Sequence, residues 1–155
     1  MAYEQLKLDN QICFRLYTAS RLIVQSYAPF FKQMGITYPQ YLVLLVLWEK
    51  DNRVISEITE ALGLETNTMT PLLQRMEKEG LIVRSRGQVD TRQRIISLTK
   101  EGKRMEQTAR DIPECMVNGL LNDELEMNDL LQLAPLLDKL IKRVKSKEGL
   151  KEKQE

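Results

Sequence analysis

Thiol chemistry is the first chemistry open to this 155-residue chain, which holds two cysteines, Cys13 and Cys115, and no histidine. The pair lies 102 residues apart, with neither a C-x-x-C motif nor a zinc spacing. Asp9 is placed to cap a helix with Cys13 in its opening turn, where the helix dipole favours a thiolate. A thiolate attacks the O–O bond of a hydroperoxide, releases the alcohol and becomes a sulfenic acid. Ile12, Phe14 and Tyr17 give Cys13 an apolar surround that suits an organic peroxide better than hydrogen peroxide. The plainer alternative is that Cys13 is a small buried hydrophobe.

A basic hairpin offers the second chemistry. Residues 81–99 read LIVRSRGQVDTRQRIISLT. Two β-branched, basic runs, Leu81–Arg86 and Arg94–Leu98, flank a polar loop that holds Gly87, Asp90, Arg92 and Gln93. Their alternation of apolar and charged residues has the period of a half-buried strand. A helix over Asn67–Glu79 precedes them and ends at Gly80. A short helix followed by a basic hairpin is how a winged helix-turn-helix meets DNA. The helix enters the major groove, and an arginine of the hairpin reaches the negative potential of the minor groove.

Charge distribution agrees with that reading better than the net charge of +1 does. Between Arg75 and Arg94 the basic residues Arg75, Lys78, Arg84, Arg86, Arg92 and Arg94 outnumber Glu77, Glu79 and Asp90. From Asp111 to Asp138 there are acids but no lysine or arginine, which reads as an ordinary solvated face. Without histidine, metal sites and acid–base catalysis lose their commonest residue, and no phosphate-cradling glycine loop appears. No cofactor or metal is expected, and enzyme readings rank low. The N-terminus, MAYEQLKLDN, carries charges where a signal peptide would be apolar, and the apolar run Tyr41–Trp48 is too short to span a bilayer. The expectation is a soluble, cytoplasmic protein with no membrane partner.

The positioning elements read as six helices and a hairpin. The first helix, capped by Asp9, carries Ile12, Leu16, Ala19 and Ile23 on one face; Pro29 interrupts it and Gly35 ends it. Thr37 caps a second helix from Tyr38 to about Lys50, apolar nearly all round and therefore central. The third, Ser56–Leu62, stops at Gly63. The fourth begins near Thr66, where TNTMT offers capping hydroxyls, and turns Leu72, Leu73 and Met76 inward. Thr99 opens a fifth helix that runs through Pro113 towards Leu121. A sixth spans Asp123 to about Val144, and KSKEGLKEKQE forms a frayed tail. The sixth helix carries more leucine than one end helix covers, which favours a dimer. The predicted fold is mainly α with a small β-hairpin wing, as one domain over residues 1–155. Residues 8–35 and 111–145 supply dimerisation helices, 36–100 the winged helix-turn-helix and 146–155 the charged tail.

The order of helices, the phrase LLQRMEKEGLIVR, the wing motif DTR and the closing ISLTKEG resemble the MarR family of winged-helix repressors over about residues 6–145. LDNQICFRLYTASR followed by GITYPQYLVLLVLWE is similar to the organic-hydroperoxide-sensing, OhrR-like branch. That resemblance implies a peroxide-sensing Cys13, with Tyr27 and Tyr38 of the partner subunit hydrogen-bonding to it and Tyr17 nearby. It also implies that Cys115, from the other subunit, resolves the sulfenic acid as a disulfide, or that a small thiol does so and Cys115 only packs.

The same match assigns DNA reading to Thr66, Asn67, Thr68, Thr70, Gln74 and Arg75, although Thr70 could be only a helix hydroxyl. Arg92 at the wing tip would enter the minor groove with Asp90 orienting it, while Arg84, Arg86 and Arg94 touch phosphate or solvate the strands. The implied partners are double-stranded DNA with a near-palindromic operator, a second copy of the chain, and an organic hydroperoxide as reactant. Three alternatives stand beside this: a repressor released by a small phenolic ligand, a thiol peroxidase, and an architectural DNA protein.

Overall fold

The computed structural model describes residues 3–87 and 92–151, with side chains described to residue 146. Asp90 therefore lies outside the described residues. The chain divides into two compact units between Ile112 and Pro113, where the sequence reading expects one domain.

In the first unit, two 3-10 turns, Glu4–Leu6 and Leu8–Asn10, lead into α1, Ile12–Ser26. Asp9 does not cap α1. The Gln11 N–H closes the second turn on the Leu8 carbonyl at 3.0 Å, which draws Asp9 into that turn. Gln11 then takes the extended N-cap position with no side-chain cap bond, and Cys13 still falls in the opening turn. α2, Ala28–Met34, follows across Pro29 and ends at Gly35. α3, Tyr38–Glu49, begins at Thr37. Tyr41, Val43, Leu44, Val46 and Leu47 are all buried, so α3 is the central helix that its apolar surface predicts.

β1, Arg53–Val54, leads directly into α4, Ile55–Leu62. α5, Thr66–Lys78, completes the helix-turn-helix. The turn between them rests on Gly63 at φ 63°, where the Leu64 N–H reaches the Thr59 carbonyl at 3.0 Å. α5 ends the same way, with Gly80 at φ 74° and the Leu81 N–H on the Met76 carbonyl at 2.9 Å. Met69, Leu72, Leu73 and Met76 turn inward against the fully buried Leu44, Leu47 and Ile58 of the same core.

β2, Ile82–Arg86, and β3, Arg94–Leu98, form the antiparallel wing. Sheet order is β1-β3-β2, so the two-residue β1, which sequence reading misses, seals the outer edge of β3. Ile82, Ile96 and Leu98 face the core while Val83 and Ser85 face outward. Asp51 fixes the turn before β1 to the wing. Its Oδ1 accepts from the Leu98 N–H at 2.9 Å and the Asn52 N–H at 2.8 Å, and Lys103 Nζ lies 3.3 Å from Oδ2. Burial pushes the Asp51 carboxyl up, but these hydrogen bonds and Lys103 outweigh it and hold the group below its ordinary value.

Thr99 caps α6, Lys100–Ala109, by accepting from the Gly102 N–H at 3.0 Å. The expected single fifth helix is two. α7, Ile112–Leu120, starts afresh after Arg110 and Asp111, because Pro113 lacks an N–H and its ring would clash with the Ala109 carbonyl in a continuous helix.

The second unit holds most of α7 and α8, Met127–Lys151. α8 starts later than Asp123. Asn122 Oδ1 first accepts from Glu124 and Leu125, and Asp129 Oδ2 then accepts from the Glu126 N–H at 2.8 Å to open the helix. At its other end α8 runs to Lys151, so residues 146–151 continue the helix where a frayed tail is expected. Lys, Ser, Glu and Leu sustain a helix when no proline intervenes.

Candidate nucleic-acid interface and thiol site

Apart from Pro71, the exposed side of α5 is polar. Thr66, Asn67, Thr68, Gln74 and Arg75 all lie in solvent. The expected hydroxyl cap at the start of α5 is not formed: Glu65 holds the N-cap position without a side-chain cap bond. The Thr68 N–H turns back on the Glu65 carbonyl at 3.1 Å, and the N–H groups of Thr66 and Asn67 ahead of it suit an external acceptor such as phosphate. Thr70 differs from its neighbours. It is half-buried, and its Oγ1 donates to the Thr66 carbonyl at 2.9 Å, so it serves its own helix.

Arg92, Arg94, Ser56 and Thr66 line one open cavity of about 230 Å³. Wing arginines and the first residue of α5 thus share a concave, basic surface. Arg86 and Arg94 are direct cross-strand partners at the open end of the wing, and both are exposed. Like charges set opposite each other on a ladder destabilise it, and an anion placed between them removes that penalty.

Arg84 does something else. Its Nε donates to Glu77 Oε2 at 2.7 Å, its Nη2 lies 2.6 Å from the same oxygen, and its backbone N–H donates to Oε1 at 3.2 Å. The hydrogen bond from Arg84 is the main cause that holds the Glu77 carboxyl below its ordinary range. Arg84, one of the wing arginines expected to meet DNA, is bound into α5, and phosphate would have to compete with a carboxylate for it. Glu77 was missed in sequence because an acid in a basic segment carries no signal of its own.

The thiol site divides in two. Cys13 is exposed in the first turn of α1, and among the described residues no hydrogen bond reaches its sulfur. Around it Ile12 and Tyr17 are exposed, Tyr17 by 66%. Tyr27 and Tyr38 sit apart from it, in an aromatic cluster with Phe31 and Tyr41. Ring centroids are 5.3 Å apart for Tyr27 and Tyr38, 5.2 Å for Tyr27 and Phe31, and 5.1 Å for Phe31 and Tyr41. Burial, with Tyr38 beside it, pushes the Tyr27 hydroxyl above its ordinary value, so it keeps its proton and remains a donor. Phe31 and Tyr41 belong to this cluster and were not singled out in sequence. Their i+4 and i+3 spacing from Tyr27 and Tyr38 was the available signal. Cys115 is exposed on α7, in the second unit.

Large apolar residues are also exposed along both end helices. Leu22 and Ile23 are exposed on α1, as are Leu131, Leu133, Leu136, Leu140 and Ile141 on α8, with Leu131 at 66%. Among the described residues no helix is long and apolar enough to cross a membrane, and no cluster fit for a metal ion is present.

Comparison with known proteins gives a consistent picture. The family described as transcriptional regulator SarA/Rot matches residues 25–108. The organic hydroperoxide resistance transcriptional regulator of Bacillus subtilis (strain 168) is 41% identical over 145 residues, covering 94% of this chain and 97% of that protein. The structure of reduced AbfR bound to DNA is 39% identical with a TM-score of 0.75, covering 93% of this chain and 99% of that one. Disulfide-formed AbfR is 40% identical with a TM-score of 0.60, covering 89% and 95%. AbfR is a protein of Staphylococcus epidermidis.

Proposed function

The chain belongs to the MarR/SarA family of winged-helix transcriptional regulators, close to its organic-hydroperoxide-sensing members, and from that premise we propose that Cys13 is its sensor. The protein is a DNA-binding repressor. The single observation that carries the sensor reading is the exposed thiol in the first turn of α1, flanked by exposed apolar side chains.

The working unit is a homodimer. Bare leucines on α8 and apolar residues on α1 need a partner surface, and twofold symmetry gives two recognition helices for a near-palindromic operator. Across that dimer, Tyr27 and Tyr38 of one subunit hold the sulfur of the other. In support, both hydroxyls belong to a cluster that fixes their rings, and the Cys13 sulfur takes no hydrogen bond from its own described chain.

The chemistry closes without a cofactor. The Cys13 thiolate attacks one oxygen of ROOH; the O–O bond breaks, RO⁻ takes a proton and leaves as ROH, and the sulfur becomes S–OH. Cys115 of the other subunit then attacks that sulfur, forming S–S and releasing water. The solved disulfide form of a 40% identical relative supports this step. Each thiol reacts once per oxidant, so the protein is a regulator and not an enzyme. Its place is the cytoplasm, with the DNA it binds.

On DNA, the opening turn of α5 meets phosphate and Thr66, Asn67, Thr68, Gln74 and Arg75 face the major groove. Arg92 and Asp90 serve the minor groove, with Arg86 and Arg94 on phosphate. Thr70 and Arg84 support these elements from within. Titrating reduced protein onto a duplex that it selects from a random library, before and after one equivalent of cumene hydroperoxide, tests the function. Release after oxidation, reversed by dithiothreitol, is expected; retention of the duplex by fully oxidised protein would refute it.

A further inference from the structure

Gln40 is only 4% exposed, a polar side chain set in the core. Burying an amide is unfavourable unless both its ends find partners. Here both do. Oε1 accepts from the Thr37 N–H at 2.8 Å, and Nε2 donates to Glu79 Oε2.

The first bond is local and closes the start of α3. The second spans 39 residues and lands between the end of α5 and the Gly80 turn into the wing. Its surroundings give the bond a role. Tyr38 follows Thr37 directly and packs on Tyr27 in the aromatic cluster. Glu77, two residues before Glu79, holds Arg84 of the wing. One short side chain therefore spans from the backbone that carries Tyr38 to the junction of recognition helix and wing. Methionine or leucine would fill the volume without the tie, so packing alone does not require glutamine here.

We propose that Gln40 is a positioning residue that couples the oxidation state of Cys13 to the pitch of α5 through Glu79. The proposal rests on the reading of Cys13 as the sensor and names how its signal leaves the tyrosines. When oxidation withdraws the sulfur from Tyr27 and Tyr38, the start of α3 relaxes and the amide draws Glu79 with it. A sub-ångström shift at such a site is amplified because packed elements switch between discrete arrangements.

The test compares the parent with Gln40→Met, Glu79→Ala and Glu79→Gln. Each full-length protein is treated with one equivalent of cumene hydroperoxide, and Cys13 oxidation is followed by mass spectrometry. Affinity for the selected duplex is then measured in both redox states. Gln40→Met and Glu79→Ala should oxidise at the parental rate and bind normally when reduced. Their ratio of reduced to oxidised affinity should fall by about fivefold or more, the lower bound of ordinary allosteric coupling. Glu79→Gln still accepts from Gln40 and should keep the parental ratio.

Parental release by both Gln40→Met and Glu79→Ala overturns the link while leaving the sensor intact. Equal loss of affinity in both redox states makes Gln40 a folding residue and also overturns it. A parent that keeps its DNA with Cys13 oxidised removes the sensor reading, and the link with it. Glu79 lies on the surface, so Glu79→Ala decides the matter even if Gln40→Met does not fold.

Discussion

The Arg84 side chain donates from Nε to Glu77 Oε2 at 2.7 Å, and this bond ties β2 of the wing to the recognition helix α5. With the backbone bond from the Arg84 N–H to Glu77 Oε1, it holds α5 and the wing in one orientation beyond the turn at Gly80. In a winged helix-turn-helix the helix and the wing address different grooves, so their relative pitch decides whether both can bind at once.

This arrangement inverts a simple electrostatic expectation. Glu77 is an acid in the basic segment proposed to face DNA, and removing it should strengthen binding if charge alone mattered. As a positioning residue it has the opposite effect. Glu77→Ala should weaken binding to the selected duplex several-fold, measured by fluorescence anisotropy at fixed salt. Tighter binding would reduce Glu77 to a surface charge.

Tyr27 and Tyr38 are expected to hold the Cys13 sulfur through their hydroxyls, not their rings. Replacing both by phenylalanine keeps the packing with Phe31 and Tyr41. Cys13 alkylation by iodoacetamide at neutral pH should slow several-fold, because a thiolate that loses hydrogen-bond donors is less favoured. Equal rates in the double variant and the parent would leave the tyrosines as core aromatics only.

Periodic features were legible in the chain. The inward face of α5 (Met76, Leu72 and Leu73), the all-round apolar α3 and the alternating strands of the wing all follow from local spacing, and each is where that spacing places it. What escaped depends on pairs with no local trace. Asp9 looks like a cap until the turn at Leu8–Asn10 takes it, and β1 is two residues long. The Arg84–Glu77 and Gln40–Glu79 bonds join residues whose side-chain geometry no periodicity encodes. Cys13 was legible as a thiol in the opening turn of a helix, whereas its tyrosine partners Tyr27 and Tyr38 were named by resemblance. The structure adds that the two tyrosines are clustered and the thiol exposed.

Cys115 separates two kinds of sensor. If it resolves the sulfenic acid across the dimer, oxidation yields a covalent dimer that reductant dissolves. A non-reducing gel after one equivalent of cumene hydroperoxide should show that dimer in the parent, and Cys115→Ser should abolish it. An oxidised parent that migrates as a monomer yet has lost its DNA would assign the resolving step to a small thiol.

Oxidation of one sulfur is proposed to release the DNA, and Cys13→Ser isolates that step. Serine nearly preserves the volume but forms no sulfenic acid. Parent and variant are each bound to the selected duplex, then titrated with cumene hydroperoxide while anisotropy is read. The reduced forms should bind alike, the parent should release within about one equivalent per subunit by the one-to-one chemistry of a thiolate and a peroxide, and the variant should stay bound throughout. Release of Cys13→Ser at the parental dose would show that Cys13 is not the redox switch.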